Sequence, residues 1–103
     1  MTHPAWDPAK VYTAGDRVTY QNRVYIAQWY TMNQKPGDPY GPWAELGELV
    51  PAAGEGLRTW TASSIYTGGE LVVRNGKVYE AKWWTRNQVP GDPYGPWRNL
   101  GTF

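Results

Sequence analysis

The stretch Leu71-Val72-Val73-Arg74-Asn75-Gly76-Lys77-Val78-Tyr79-Glu80-Ala81-Lys82-Trp83-Trp84-Thr85 decides the fold. At its centre Asn75-Gly76 suits a two-residue hairpin turn, because both turn positions need a positive φ. Downstream, Tyr79, Ala81 and Trp83 alternate with Glu80, Lys82 and Trp84. A period of two describes a strand with one dry face and one wet face. Glu80 and Lys82 mark the wet face, so Trp84 is expected in solvent. Trp83 is expected inward unless the strand ends or bulges there.

The same pattern occurs upstream. Shifted by 54 residues, the sequence lies on itself without a gap. Trp6 meets Trp60, Tyr12 meets Tyr66, Gly15 meets Gly69, Val18 meets Val72 and Trp43 meets Trp97. Over 6–49 against 60–103 there are 22 identities in 44 positions. This is a tandem duplication, and two copies are too few for a solenoid. The reading is therefore two modules, residues 1–49 and 58–103, of about 45 residues each, near the lower limit for folding without a staple. Residues 50–57 contain Val50-Pro51-Ala52-Ala53-Gly54-Glu55-Gly56 and read as a linker. If flexible, its ends would sit about 15 Å apart.

Each module reads as short strands. Tyr12-Thr13-Ala14-Gly15-Asp16 and Tyr66-Thr67-Gly68-Gly69-Glu70 are turns. Arg17 to Tyr20 is a first strand, Gln21-Asn22 a hairpin turn, and a second strand runs from Arg23 to about Tyr30. Pro36-Gly37-Asp38-Pro39-Tyr40-Gly41-Pro42 and its copy Pro90 to Pro96 form rigid loops that lead back to Trp43 and Trp97. No helical periodicity is present. The fold class expected is all-β, two small antiparallel modules.

Composition narrows the function. The net charge is +1, which gives no electrostatic case for nucleic acid or an anionic membrane. With 12 Gly and 9 Pro the chain is turn-rich, and its apolar runs are too short to span a bilayer. No secretory leader is evident in Met1-Thr2-His3-Pro4. The sequence reads as part of a larger protein, or as a chain exported by another route. Cysteine is absent, so aromatic packing must carry the core.

Catalytic chemistry finds little footing. The one histidine, His3, lies in a tail outside the repeat, and without Cys neither a thiol nucleophile nor a zinc site is expected. No cofactor is expected either. A glycosidase needs two carboxylates facing each other across a cleft. Most acids here are not shared by the copies: Asp7 becomes Thr61 and Glu45 becomes Asn99. Asp38 and Asp92 are shared, but between Gly and Pro they suit Asx-turn caps.

Aromatics dominate instead, with seven Trp and eight Tyr against one Phe. Trp6, Trp60, Tyr25 and Tyr79 are expected in the core, with Trp43 and Trp97 core or part-core. Not all can fit inside modules this small. Tyr12 and Tyr66, on turns, and Tyr30 and Trp84, on the wet face, are expected to be exposed. Grouped exposed aromatics mark an interaction surface. Pyranose rings suit them, because the axial C–H face lies on a π-surface while hydroxyls reach amides such as Asn33, Gln34, Asn87 and Gln88. A comparable ring stack is worth about 1–3 kcal/mol.

At these residues the sequence resembles the chitin-binding modules of carbohydrate-binding module families 5 and 12. The shared pattern is Trp6, Tyr12, Gly15-Asp16, Val18, Tyr25-Ile26-Ala27-Gln28-Trp29-Tyr30-Thr31, Pro36-Gly37 and Trp43. It recurs as Trp60, Tyr66, Gly69-Glu70, Val72, Tyr79-Glu80-Ala81-Lys82-Trp83-Trp84-Thr85, Pro90-Gly91 and Trp97. Glu70 departs from the usual Asp, and Gln28 from the usual Lys. The resemblance implies a non-catalytic, compact antiparallel β module that binds chitin or cellulose, attached to a secreted chitinase or oxidative polysaccharide-cleaving enzyme. It assigns the surface aromatics to Tyr12, Trp29 and Tyr30, and to Tyr66, Trp83 and Trp84. A bulge at the strand end would reconcile this with parity. The protein is then expected to be an extracellular monomer whose two modules gain avidity on one polymer. The alternative is an adhesin or phage-tail-type module for another glycan (cellulose or a cell-wall sugar) or for a Pro-rich peptide, which aromatic grooves also accept.

Overall fold

A computed structural model describes residues 3–103; Met1 and Thr2, the start of the segment read as a tail, lie outside the described residues. The first module contains β1 (Val11–Tyr12), β2 (Arg17–Tyr20), β3 (Arg23–Ala27), β4 (Thr31–Met32) and β5 (Trp43–Glu45). The second contains β6 (Ile65–Tyr66), β7 (Leu71–Arg74), β8 (Lys77–Ala81), β9 (Thr85–Arg86) and β10 (Trp97–Thr102). Each module is a three-stranded antiparallel sheet, β2-β3-β5 or β7-β8-β10, beside a two-stranded ladder, β1-β4 or β6-β9. The all-β, duplicated architecture is as the sequence indicates. Among the described residues the one helical turn is a 3₁₀ segment, Pro51–Ala53.

The hairpin turns have the conformation the dipeptides dictate. Gln21 and Asn22 have φ of 50° and 65°, and Asn75 and Gly76 have 51° and 76°. This fixes the pairs Tyr20↔Arg23 and Arg74↔Lys77, and with them the face of every residue beyond. Inward residues build two separate cores. Tyr12, Val18, Tyr25, Ala27 and Trp43 pack together with Trp6 and Tyr20 against them. Val72, Tyr79, Ala81 and Trp97 pack likewise with Trp60 and Tyr66. The closing Trp of each loop is held at both ends of its ring system. Trp43 meets Tyr12 edge-on at 5.0 Å and donates its indole N–H to the Gln34 carbonyl; Trp97 repeats this with Tyr66 at 5.1 Å and the Gln88 carbonyl.

Residues 50–57 form a hydrogen-bonded turn, not a loose tether. The Val50 amide donates to the Leu57 carbonyl at 2.8 Å, the Leu57 amide to Gly54, and the Thr59 amide to Glu48. The modules also meet directly. Glu45 at the end of β5 receives Thr61 and Ser64 hydroxyls on its carbonyl, and its amide donates to the Ser63 hydroxyl. Arg58 donates to the Gly47 carbonyl at 2.6 Å. The molecule is elongated and flat, 44 × 27 × 19 Å.

Repeat positions that diverge mark this junction. Asp7, Ala9 and Lys10 are replaced in the second copy by Thr61, Ser63 and Ser64, whose hydroxyls serve the contact. Conversely Glu80 and Arg98 form an exposed ion pair at 2.6 Å where the first copy has Ile26 and Ala44. Ile26 and Ala44 line a cleft of about 350 Å³ with Leu46, Ser64, Ile65 and Leu71 between the modules. A charged pair there would lose water at a cost that its mutual attraction need not repay.

Candidate functional site

The second strand ends earlier than its parity suggests, and this creates the site. Ala27 is locked on both polar groups: its amide donates to Asp16, and its carbonyl accepts from Gly15. The Gln28 amide then turns away to the Pro42 carbonyl at 2.8 Å. Thr31 resumes pairing, but with Tyr12 in the ladder. Trp29 and Tyr30 therefore sit at the corner between sheet and ladder, outside any alternation, and both face solvent. Ala81, Lys82 and Thr85 make the same bonds in the second copy, leaving Trp83 and Trp84 outside. Exposures are 45% and 63% for Trp29 and Tyr30, and 53% and 59% for Trp83 and Trp84. Trp83 and Trp29, expected inward if the strand ran on, are outward because it stops at Ala81 and Ala27.

Tyr12 and Tyr66 require a correction. Both were expected to be exposed on a turn. Tyr12 is 2% exposed and Tyr66 is half-buried. Pairing of β1 with β4 rolls Tyr12 onto Trp43, and its hydroxyl accepts the Asp7 amide at 3.0 Å. Tyr66 packs on Trp97 and accepts the Thr61 amide at 3.1 Å. Neither phenol ring presents a free face like those of the corner pairs.

The polar candidates divide. The Thr31 hydroxyl, on a residue 1% exposed, donates to Gln34 Oε1 at 2.6 Å, and Thr85 does the same to Gln88. These glutamines satisfy buried threonines and hold the loop. Asn33 and Asn87 take positive φ of 56° and 57°, a conformation Asn tolerates. Asn87 donates from Nδ2 to the Tyr40 hydroxyl at 3.0 Å, across the module boundary. Asp38 and Asp92 are Asx caps: their Oδ1 atoms accept the Tyr40 and Tyr94 amides at 2.9 Å.

Three residues escaped the sequence reading. Tyr40 and Tyr94, on the Pro/Gly loops, are 62% and 92% exposed. The signal available was that a Tyr between Pro and Gly in a rigid loop has little core to reach. The third is Arg86, where the first copy has Met32. It is 7% exposed, donates to the Ser63 carbonyl at 3.1 Å and to the Gly41 carbonyl at 2.7 Å, and sits 5.9 Å from the Trp29 ring centroid. Burial draws its guanidinium pKa down, with Asp38 and Tyr40 opposing. The break in an otherwise apolar repeat position was the signal available.

The corner is thus an uncharged, solvent-facing pair of aromatic planes on a fixed backbone, present twice. Lys82 flanks Trp83 at 5.6 Å as Arg86 flanks Trp29. Among the described residues no group of acidic, His or Cys side chains could hold a metal. Nor is any helix there long and apolar enough to cross a membrane.

Comparison with known proteins matches this sequence to a family. The sequence profile of carbohydrate-binding module family 5/12 matches residues 5–44 and again 59–98. Endoglucanase A of Evansella cellulosilytica is 37% identical over an alignment covering 95% of this chain and 27% of that enzyme. Chitinase A of Pseudoalteromonas piscicida is 52% identical over 32% of this chain and 4% of its own length. A probable bifunctional chitinase/lysozyme of Escherichia coli is 27% identical over 91% of this chain and 12% of its length. The chain thus spans between 4% and 27% of these relatives' lengths. Two profile matches over most of the sequence show that the chain belongs to carbohydrate-binding module family 5/12, as two copies in tandem.

Proposed function

We propose that the chain is a non-catalytic module that binds chitin, with the pyranose rings lying on Trp29 and Tyr30 in one half and on Trp83 and Trp84 in the other. One observation carries this reading: the same solvent-facing aromatic pair occupies the same corner of both modules. Stacking of about 1–3 kcal/mol per ring makes each pair a weak site. Linking two sites raises the apparent affinity by roughly 10²–10⁴-fold where both reach one polymer. The functional units are residues 1–49 and 58–103, joined by 50–57. In this reading the chain works as a monomer, outside the cell, and holds an attached polysaccharide-degrading enzyme on its substrate.

Cellulose is the second reading, favoured by the relative aligned over 95% of the chain, which is named an endoglucanase. Co-sedimentation with chitin, with cellulose and with neither, beside titration with a Pro-rich peptide, separates the possibilities. Retention on chitin that exceeds retention on cellulose is the expected result. Equal or stronger retention on cellulose overturns the chitin assignment, and peptide binding without retention on either polysaccharide overturns the glycan reading.

A further inference from the structure

The two aromatic corners are duplicates in sequence but not in surroundings. Beside the second, Tyr94 is 92% exposed, and among the described residues no side chain of the other module hydrogen-bonds its hydroxyl. Beside the first, the second module reaches over. The Arg86 guanidinium lies between the Trp29 ring and the Gly41 carbonyl, and Asn87 holds the hydroxyl of Tyr40, the residue next to Gly41. Tyr40 keeps 62% of its surface open. Trp29 and Tyr40 are therefore both braced by one two-residue segment, Arg86-Asn87, of the opposite module.

We propose that Tyr40 is a third sugar-contacting aromatic of the first site, and that Arg86 and Asn87 are its positioning residues, so that the first site is a composite of both modules. This rests on the aromatic-corner reading above. A buried guanidinium bonded to two carbonyls and no carboxylate is a demanding arrangement. Its planar fork donates from two separate nitrogens, Nε to Ser63 and Nη2 to Gly41, where a Lys ammonium offers a single one. The copy at Met32 lacks that reach, so the bracing runs one way only. A tyrosine already ordered by a hydrogen bond loses less freedom when it stacks on a sugar than one that swings free. The ligand implied is a β-linked hexopyranose chain long enough to pass from the Trp29–Tyr30 pair onto Tyr40.

The test isolates each site. Adsorption isotherms on insoluble chitin and cellulose are measured in a W83A/W84A background, which reports the first site, and in a W29A/Y30A background, which reports the second. In the first background Tyr40→Ala is expected to weaken binding roughly fivefold to a hundredfold, the range of one stacked ring. Arg86→Met, which copies the first repeat, and Asn87→Ala are each expected to weaken it roughly twofold to tenfold. In the second background the Arg86→Met change is expected to leave the isotherm where it was, and Tyr94→Ala to shift it less than Tyr40→Ala shifts the other. Equal losses in both backgrounds mean a folding effect and overturn the proposal, as does no loss in either. Failure of both corner double variants to weaken wild-type binding sinks the aromatic-corner reading itself. Loss at the corners without any effect of Arg86, Asn87 or Tyr40 sinks this inference alone.

Discussion

Replacing Gly47 by Ala tests whether the two modules form one packed unit. Gly47 follows β5, and its φ lies outside the left-handed region, so the backbone alone would accept alanine. Space would not. A Cβ there would meet the Thr59 carbonyl oxygen in a severe overlap, with Thr59 Oγ1 at 2.9 Å and the carbonyl carbon at 3.0 Å. Backbone cannot rotate away as a side chain can, so the strand-like contact of 47–49 with 57–59 must open. Three bonds go with it: Thr59 amide to Glu48, Glu48 amide to the Thr59 hydroxyl, and Arg58 to the Gly47 carbonyl. At about 0.5–1.5 kcal/mol each, the loss is on the order of 2–4 kcal/mol. For a chain of this size that lowers Tm by roughly 10–25 °C. The repeat supplies a control, because a Cβ on Gly101 meets nothing within 4 Å. Gly101→Ala meets only the cost of φ 99°, about 1 kcal/mol. Scanning calorimetry is expected to show one transition for the parent and for Gly101→Ala, and an earlier or split transition for Gly47→Ala. A Gly47→Ala protein within 0.5 kcal/mol of the parent would refute the reasoning.

Further outcomes follow from single contacts. Changing Gln21-Asn22 to the Asn-Gly of the second copy relieves a Gln at φ 50° and is expected to stabilise by about 0.5–1.5 kcal/mol in urea titration. Gln34→Ala leaves the buried Thr31 hydroxyl without its acceptor and should destabilise by about 1–3 kcal/mol. Tyr12→Phe strips the acceptor from the Asp7 amide, lowering stability by about 1 kcal/mol while polysaccharide adsorption stays unchanged, as suits a core residue. Burial, reinforced by Glu45, raises the Tyr25 phenol above its ordinary 10.0. The folded state then holds that proton more tightly than the unfolded one, so stability is full below pH 10 and declines above it, measurable as a falling Tm.

The fold was legible because its signals are local and doubled. Asn75-Gly76 and the Tyr79-to-Lys82 alternation specify one hairpin, and the period of 54 transfers it to the weaker Gln21-Asn22. Two-residue strands leave no such trace. Val11–Tyr12 carries no alternation, and only pairing with Thr31–Met32 turns Tyr12 inward. The early end of β3 was equally hidden, since it depends on Asp16 and Pro42 reaching Ala27 and Gln28 from elsewhere in the chain. Parity therefore misplaced Trp29 unless a break was allowed. The junction was written as divergence: Asp7 to Thr61, Ala9 to Ser63, Met32 to Arg86. Without a partner surface, those differences look like drift.

In the proposed reading polysaccharide rests on Trp29, Tyr30, Trp83 and Trp84. Adsorption isotherms on insoluble chitin for the parent, for W29A/Y30A, for W83A/W84A and for all four changes together test it most directly. Each double variant is expected to retain binding but to lose the roughly 10²–10⁴-fold gain of linkage, and the quadruple variant to stay in solution with an unchanged Tm. A folded quadruple variant that still adsorbs like the parent would show that the polysaccharide rests elsewhere.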